Sequence, residues 1–176
     1  FADKDWMPIN GPINWELDFY DLKVIALDTS ITGMAHGNLE SISLDFLRAS
    51  LSTANGRPVL VATHHPPIIT GLEKMDIQNL RDSAGLKEIL STHTGELKLI
   101  CGHVHRNIVG QFGNKLCQIA PGVSHAVTMD LRIDAPNCLT KEPGSFLLHE
   151  IRDGILSHQI LVDNYDGPFM FYPDSK

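Results

Sequence analysis

Three short, β-rich apolar runs constrain this chain more than any other feature: Leu22–Asp28 (LKVIALD), Arg57–Thr63 (RPVLVAT) and Leu97–Cys101 (LKLIC). Continuous apolar runs of this length, rich in Val, Ile and Leu, are what strands covered on both faces require. Between the first two, Leu39, Ile42, Phe46, Leu47 and Leu51 recur every three to four residues, the spacing of a helix with one buried face. Asn38 or Ser41 is placed to cap that helix, and Asn55-Gly56 stops it. Between the second and third, Asp82 opens a helical stretch through Leu90. Strand, helix, strand, helix, strand reads as right-handed crossovers building a parallel sheet.

After residue 105 the pattern changes. Short alternating runs at residues 106–112, 115–119, 145–151 and 155–162 are separated by Gly-Asn, Pro-Gly and Asp-Gly turn signals, as in an antiparallel β-meander. An edge strand is expected near residues 14–20 and an irregular excursion at 130–144. Residues 163–176 read as an extended tail. The whole is a layered α/β architecture, parallel crossovers first and antiparallel strands after. With 176 residues it is one domain or a large piece of one.

Two of the apolar runs lead directly into histidine pairs: His64-His65-Pro66-Pro67 after the second, Gly102-His103-Val104-His105 after the third. In open α/β sheets ligands gather beyond the carboxyl ends of the strands. Neutral imidazoles there suit zinc, iron and manganese-type ions. On extended backbone the alternation of side chains puts His103 and His105 on one side, and turns His64 and His65 to opposite sides. Only one of the adjacent pair is then expected to ligate, with the other in support. His36, His93, His149 and His158 carry no cluster and read as ordinary polar residues.

Charge narrows the partners. Fourteen Lys and Arg against 21 Asp and Glu give a net charge of −7, which argues against a nucleic-acid polymer, whose binding needs clustered cations. Any phosphate handled here must be neutralised by something other than surface lysines. No run reaches the ~18 apolar residues of a membrane span. Cys101, Cys117 and Cys138 are widely spaced and odd in number, which points to reduced thiols and a cytoplasmic location.

These pieces resemble the calcineurin-like metallophosphoesterase superfamily, and within it the class III cyclic nucleotide and glycerophosphodiester phosphodiesterases. The resemblance is carried by Leu27-Asp28-Thr29-Ser30 with Gly33 and Gly37, by His64-His65-Pro66-Pro67, and by Gly102-His103-Val104-His105. Pro121-Gly122-Val123-Ser124-His125 and Gly144-Ser145-Phe146-Leu147-Leu148-His149 extend it. It implies a two-metal phosphodiesterase of the layered α/β sandwich type, acting on a cyclic nucleotide or a small glycerophosphodiester. By it, His64 and His103 hold one divalent ion of the Mn, Fe or Zn class and His105 holds the other. His65 supports them on the substrate side, and His125 is a catalytic and substrate-binding candidate. Asp28 falls at a structural position.

The family's Asp-x-His, Gly-Asp and Gly-Asn-His motifs do not occur ahead of these residues. Residues 1–176 are therefore expected to be a single partial domain, the C-terminal portion of a longer enzyme whose N-terminal half of the fold lies elsewhere, and Phe1-Ala2-Asp3 resembles the stretch that follows the third motif. Alone, such a portion is expected to hold at most one ion weakly, to be inactive, and to self-associate or exchange strands through an uncovered sheet edge. The alternatives are a phosphomonoesterase of the same superfamily, a degenerate binding or assembly domain, and a mononuclear three-histidine zinc hydrolase drawing its base from Glu73, Asp76 or Asp82.

Overall fold

The computed structural model describes residues 10–172. The start of the lead-in, with Phe1-Ala2-Asp3, and the last four residues of the tail lie outside the described residues. Chain order is β1 (Trp15–Asp18), β2 (Lys23–Leu27), α1 (Ser41–Ser52), β3 (Val59–Thr63), α2 (Glu73–Asp76), α3 (Ala84–Thr92), β4 (Leu97–Cys101), β5 (Ile108–Phe112), β6 (Lys115–Ile119), β7 (Ala126–Val127), β8 (Leu139–Thr140), β9 (Ser145–Ile151) and β10 (Ile155–Leu161). The main sheet has six strands in the order β1-β2-β3-β4-β6-β5. Pairings β2–β3, β3–β4 and β4–β6 are parallel; β1–β2 and β5–β6 are antiparallel. The three apolar runs are the central parallel strands, in register so that Leu27, Thr63 and Cys101 end level.

One face of this sheet carries the core. Ile25, Val59, Val61, Leu99, Cys117 and Ile119 are fully or nearly fully buried, and Leu47 of α1 with Leu86 and Leu90 of α3 join them in one cluster. Helix α1 starts two residues later than an Asn38 cap would give and one earlier than a Ser41 cap would: Glu40 occupies the cap position without a side-chain hydrogen bond, and Asn38 is tied to the loop after β2, its N–H donated to the Thr29 carbonyl.

The meander is not a single ribbon. β5 and β6 form a hairpin, but β6 inserts beside β4, leaving β5 at the edge. A parallel partner for β4 satisfies an otherwise open central edge and buries Cys117 and Ile119. Among the described residues β9 and β10 pair only with each other, as do β7 and β8, of which β8 falls within the expected excursion at 130–144 and β7 just before it.

The β9–β10 ribbon turns a polar face toward the main sheet. The Lys98 ammonium of β4 donates to the Ser157 hydroxyl at 2.5 Å, and Asn107 donates to Gln159 at 2.8 Å. Its opposite face leaves Phe146, Leu148 and Leu156 exposed. At the far edge, the buried Lys23 ammonium is closed over by Glu16 at 3.1 Å and Asp18 at 3.2 Å. Cys101 and Cys117 are buried free thiols, and Cys138 is an exposed one.

Candidate metal centre

The two histidine pairs occupy the carboxyl ends of β3 and β4, neighbours in the sheet. Neither pair lies on extended backbone. The chain bends at His64 and His65, and His103 and His105 both adopt left-handed φ, +72° and +57°. The physical reason lies in Val104, which is fully buried. A core side chain between the two histidines, with its N–H donated back to the Gly102 carbonyl at 2.9 Å, forces a tight turn that throws both rings outward. Left-handed backbone is costly for a residue with a Cβ and persists only where packing over-determines it.

The turn sends the two rings to different partners. His103 Nδ1 lies 3.2 Å from His64 Nε2, whereas His105 Nδ1 lies 3.0 Å from His125 Nε2. The bend at residues 64 and 65 likewise keeps the adjacent rings together, with centroids 4.8 Å apart. The alternation expected of extended backbone therefore fails at both pairs. His64, His65 and His103 form a group whose ligand atoms all lie within 4.8 Å of one another.

His65 is held from behind. Its Nδ1 and the Thr29 hydroxyl lie 2.8 Å apart, and its own N–H donates to the same hydroxyl at 3.3 Å. Gly37 lies against the ring so closely that a Cβ there would sit 2.4 Å from Nδ1. Thr29 and Gly37 belong to the loop after β2, the segment singled out by Asp28-Thr29-Ser30. Asp28 itself serves that loop, accepting from the Ile13 N–H at 3.0 Å and from the Ser30 N–H and hydroxyl at 2.9 and 2.6 Å. Partial burial pushes its carboxyl up, and those hydrogen bonds outweigh it, so the group ends below its ordinary value.

His125 arrives through the segment after β6. The Gly122 N–H donates to the His105 carbonyl at 3.1 Å. A Cβ at residue 122 would sit 2.4 Å from the His125 carbonyl oxygen and 2.9 Å from the His105 Cβ. Glycine is what lets these two histidines meet. The other ring nitrogen of His125 lies 2.9 Å from the Ser124 hydroxyl.

Electrostatics favours neutral imidazoles at His64, His65, His103 and His105. His103 is pushed down to about 4, first by burial and then by the neighbouring rings of His65, His64 and His105. His64, His65 and His105 are also lowered, burial again the leading cause. Unprotonated nitrogen is what a metal requires. Geometry agrees: two nitrogens about 2.0–2.1 Å from one ion lie about 2.9–3.4 Å apart for angles between square and tetrahedral, and His64 Nε2 and His103 Nδ1 are 3.2 Å apart. His103 Nε2 is buried without a partner. The residues fit a divalent cation. Among the described residues the group contains no carboxylate. Asp76, one of the acids considered as a base, is occupied by the loop before α2, accepting from Thr70, Gly71 and Asn79.

No family model matches the sequence. A probable glycerophosphodiester phosphodiesterase, GpdQ, from Arcobacter nitrofigilis is 33% identical over 175 residues, covering 98% of this chain and 64% of that protein. The 3′,5′-cyclic adenosine monophosphate phosphodiesterase CpdA of Pseudomonas aeruginosa is 34% identical over 116 residues, covering 61% of this chain and 43% of that one. The chain thus spans between two fifths and two thirds of these relatives. Among solved structures, a dimetal phosphatase from Danio rerio superposes with a TM-score of 0.58 at 14% identity, covering 86% of this chain and 61% of its own. Sequence and fold together place the chain in the calcineurin-like metallophosphoesterase superfamily. Within it, the relatives that the chain resembles are named as the phosphodiesterases GpdQ and CpdA.

Proposed function

We propose that this chain carries the histidine side of a metal-dependent phosphodiesterase centre. His64 and His103 share one divalent ion and His105 ligates a second, in a two-metal arrangement that takes its carboxylates from residues beyond the histidine group. The observation that carries this reading is the 3.2 Å approach of His64 Nε2 to His103 Nδ1 between rings held neutral by burial. When bound, two such ions activate the nucleophile and neutralise the phosphate oxygens, a role that suits a chain of net charge −7. The substrate is a cyclic nucleotide or a small glycerophosphodiester, the classes named for the relatives.

The protein's own groups orient these events. His105 turns Nδ1 toward His125 at 3.0 Å, and its ring supplies the ligand to the second ion. His125, between His105 and Ser124, is positioned to contact the phosphoester and to pass a proton to the departing alcohol. His65, locked by Thr29 and Gly37, is buried and packs against the His64 and His103 rings, with centroids 4.8 Å from each, so it supports them from within rather than reaching a substrate.

A second reading, a domain that keeps the fold and binds without catalysis, is favoured by one fact: the group at the strand ends has three imidazoles and no carboxylate among the described residues. Two divalent ions close together repel unless anionic oxygens bridge them. Residues 1–176 by themselves therefore hold one ion weakly and do not turn over. In the protein expressed from its natural reading frame, His64→Ala lowers turnover of bis(p-nitrophenyl) phosphate on the order of a hundredfold or more, with melting temperature nearly unchanged. Near-normal turnover, or two tight manganese sites by calorimetry on residues 1–176 alone, refutes the assignment. The exposed outer face of the β9–β10 ribbon, with Phe146, Leu148 and Leu156, supports self-association of the 176-residue chain. A clean monomer by light scattering at high concentration refutes that.

A further inference from the structure

His125 is carried by a segment with little regular structure of its own. The strands β7 and β8, which follow it, are two residues each and pair only with one another among the described residues. A ribbon that short has no independent stability. Something outside it must hold the His125 ring 3.0 Å from His105.

Two ties do so, and both come from the same place in the chain. Ahead of His125, the Gly122 N–H donates to the His105 carbonyl at 3.1 Å. Behind it, the Arg106 guanidinium donates to the Val127 carbonyl. Residues 105 and 106 thus grip the segment 122–127 at each end, with His125 between the grips. Arg106 is braced in turn. Its Nη1 and Nη2 donate to the two oxygens of Glu142 at 2.9 and 2.8 Å, and Glu142 also accepts from the Thr140 hydroxyl at 2.8 Å. Thr140 is the strand partner of Ala126, so the brace returns to the residue next to His125. A bidentate guanidinium–carboxylate pair fixes direction as well as distance. Lysine would keep the charge but lose the planar fork that serves both Glu142 oxygens and the Val127 carbonyl together. With its charge matched by Glu142 and its side chain only 17% exposed, Arg106 is built to hold protein rather than to receive a phosphate.

We propose that Arg106 is the positioning residue for His125, acting through the Val127 carbonyl with Glu142 as its brace. This rests on the phosphodiesterase reading above, in which His125 passes a proton to the departing alcohol, and it names the group that keeps that imidazole in reach. The consequence is selective. A departing alkoxide needs the proton, whereas p-nitrophenolate is stable enough to leave without one. Loosening His125 therefore slows alkyl diesters and spares nitrophenyl ones.

The test uses the protein from its natural reading frame, loaded with manganese, on glycerophosphoethanolamine and bis(p-nitrophenyl) phosphate. Arg106→Lys is expected to lower kcat for glycerophosphoethanolamine about tenfold, a part of the roughly 10²–10⁴ that a placed proton donor supplies. Its KM, and kcat for bis(p-nitrophenyl) phosphate, should stay within about twofold of wild type. Glu142→Gln should show the same pattern at smaller size. Because Glu142 is 46% exposed, that variant keeps the test open where Arg106→Lys folds poorly. In a His125→Ala background Arg106→Lys should cost nothing further, since residues acting through one step are not additive. Equal losses on both substrates would make the arginine a general support of the fold and overturn the proposal. So would an undiminished further loss in the absence of His125, or no loss on either substrate. If the wild type cleaves both and His125→Ala is as fast, the phosphodiesterase reading stands and the positioning role falls. If the wild type hydrolyses neither, the underlying reading fails and takes this one with it.

Discussion

Acidification of the metal-free chain should destabilise it through the histidine cluster, and His103 carries the largest part. Its pKa falls from 6.5 to about 4 in the folded protein, because burial and the rings of His65, His64 and His105 all oppose a positive charge. An unfolded chain restores the ordinary value. Between those two values the unfolded state binds more protons than the folded one, so stability is complete above pH 6.5 and declines as pH drops toward 4. The full difference corresponds to about 3 kcal/mol, and partial exposure of the ring to solvent reduces the expected loss to about 1–2 kcal/mol. Asp28 and Glu142, both lowered by hydrogen bonds, lose their contribution at the acid end of the same range. The measurement must therefore be a difference between two proteins. Urea unfolding in the presence of a chelator, at steps between pH 7 and pH 4.5, is compared for wild type and His103→Gln. The wild type should lose stability more steeply by about 1–2 kcal/mol across the range. Parallel curves would refute the argument, since they would mean that His103 is no harder to protonate folded than unfolded.

Two further substitutions probe the scaffold. Gly37→Ala places a Cβ 2.4 Å from His65 Nδ1, so the ring must leave Thr29; a loss of about 1–3 kcal/mol with weaker metal affinity is expected by thermal melting and calorimetry, and an unchanged melting temperature would show that the loop yields freely. Lys98, buried and lowered by burial, hydrogen-bonds only the Ser157 hydroxyl among the described residues, while Ser157 keeps His149 at 2.8 Å; Lys98→Met should stabilise the chain by about 1 kcal/mol in urea at neutral pH, and destabilisation would mean the ammonium has a stronger role than this geometry shows.

Much of the architecture was legible in one dimension. Apolar runs at LKVIALD, RPVLVAT and LKLIC became the three central strands because continuous β-branched hydrophobicity has few other solutions in water. Helices α1 and α3 followed from three-to-four-residue spacing, with ends displaced by a few residues. Less legible were α2 and the insertion of β6 between β4 and β5. A four-residue helix has too little periodicity to register, and β6 is placed by the vacant edge of β4, a feature of another strand. Polar residues on the inward face of β9–β10 gave no local sign that they would meet Lys98 and Asn107.

The same division runs through the centre. Histidines at consecutive strand ends, a negative net charge and no free cationic cluster were all present in the order of the residues, and they were enough to point to an ion between imidazoles. Which imidazole meets which was not. Alternation along a strand predicts His103 beside His105, but packing of Val104 into the core turned the backbone left-handed and sent one ring to His64 and the other to His125. Side-chain identity determines what chemistry is available; only the burial of a neighbouring residue decides where that chemistry is aimed.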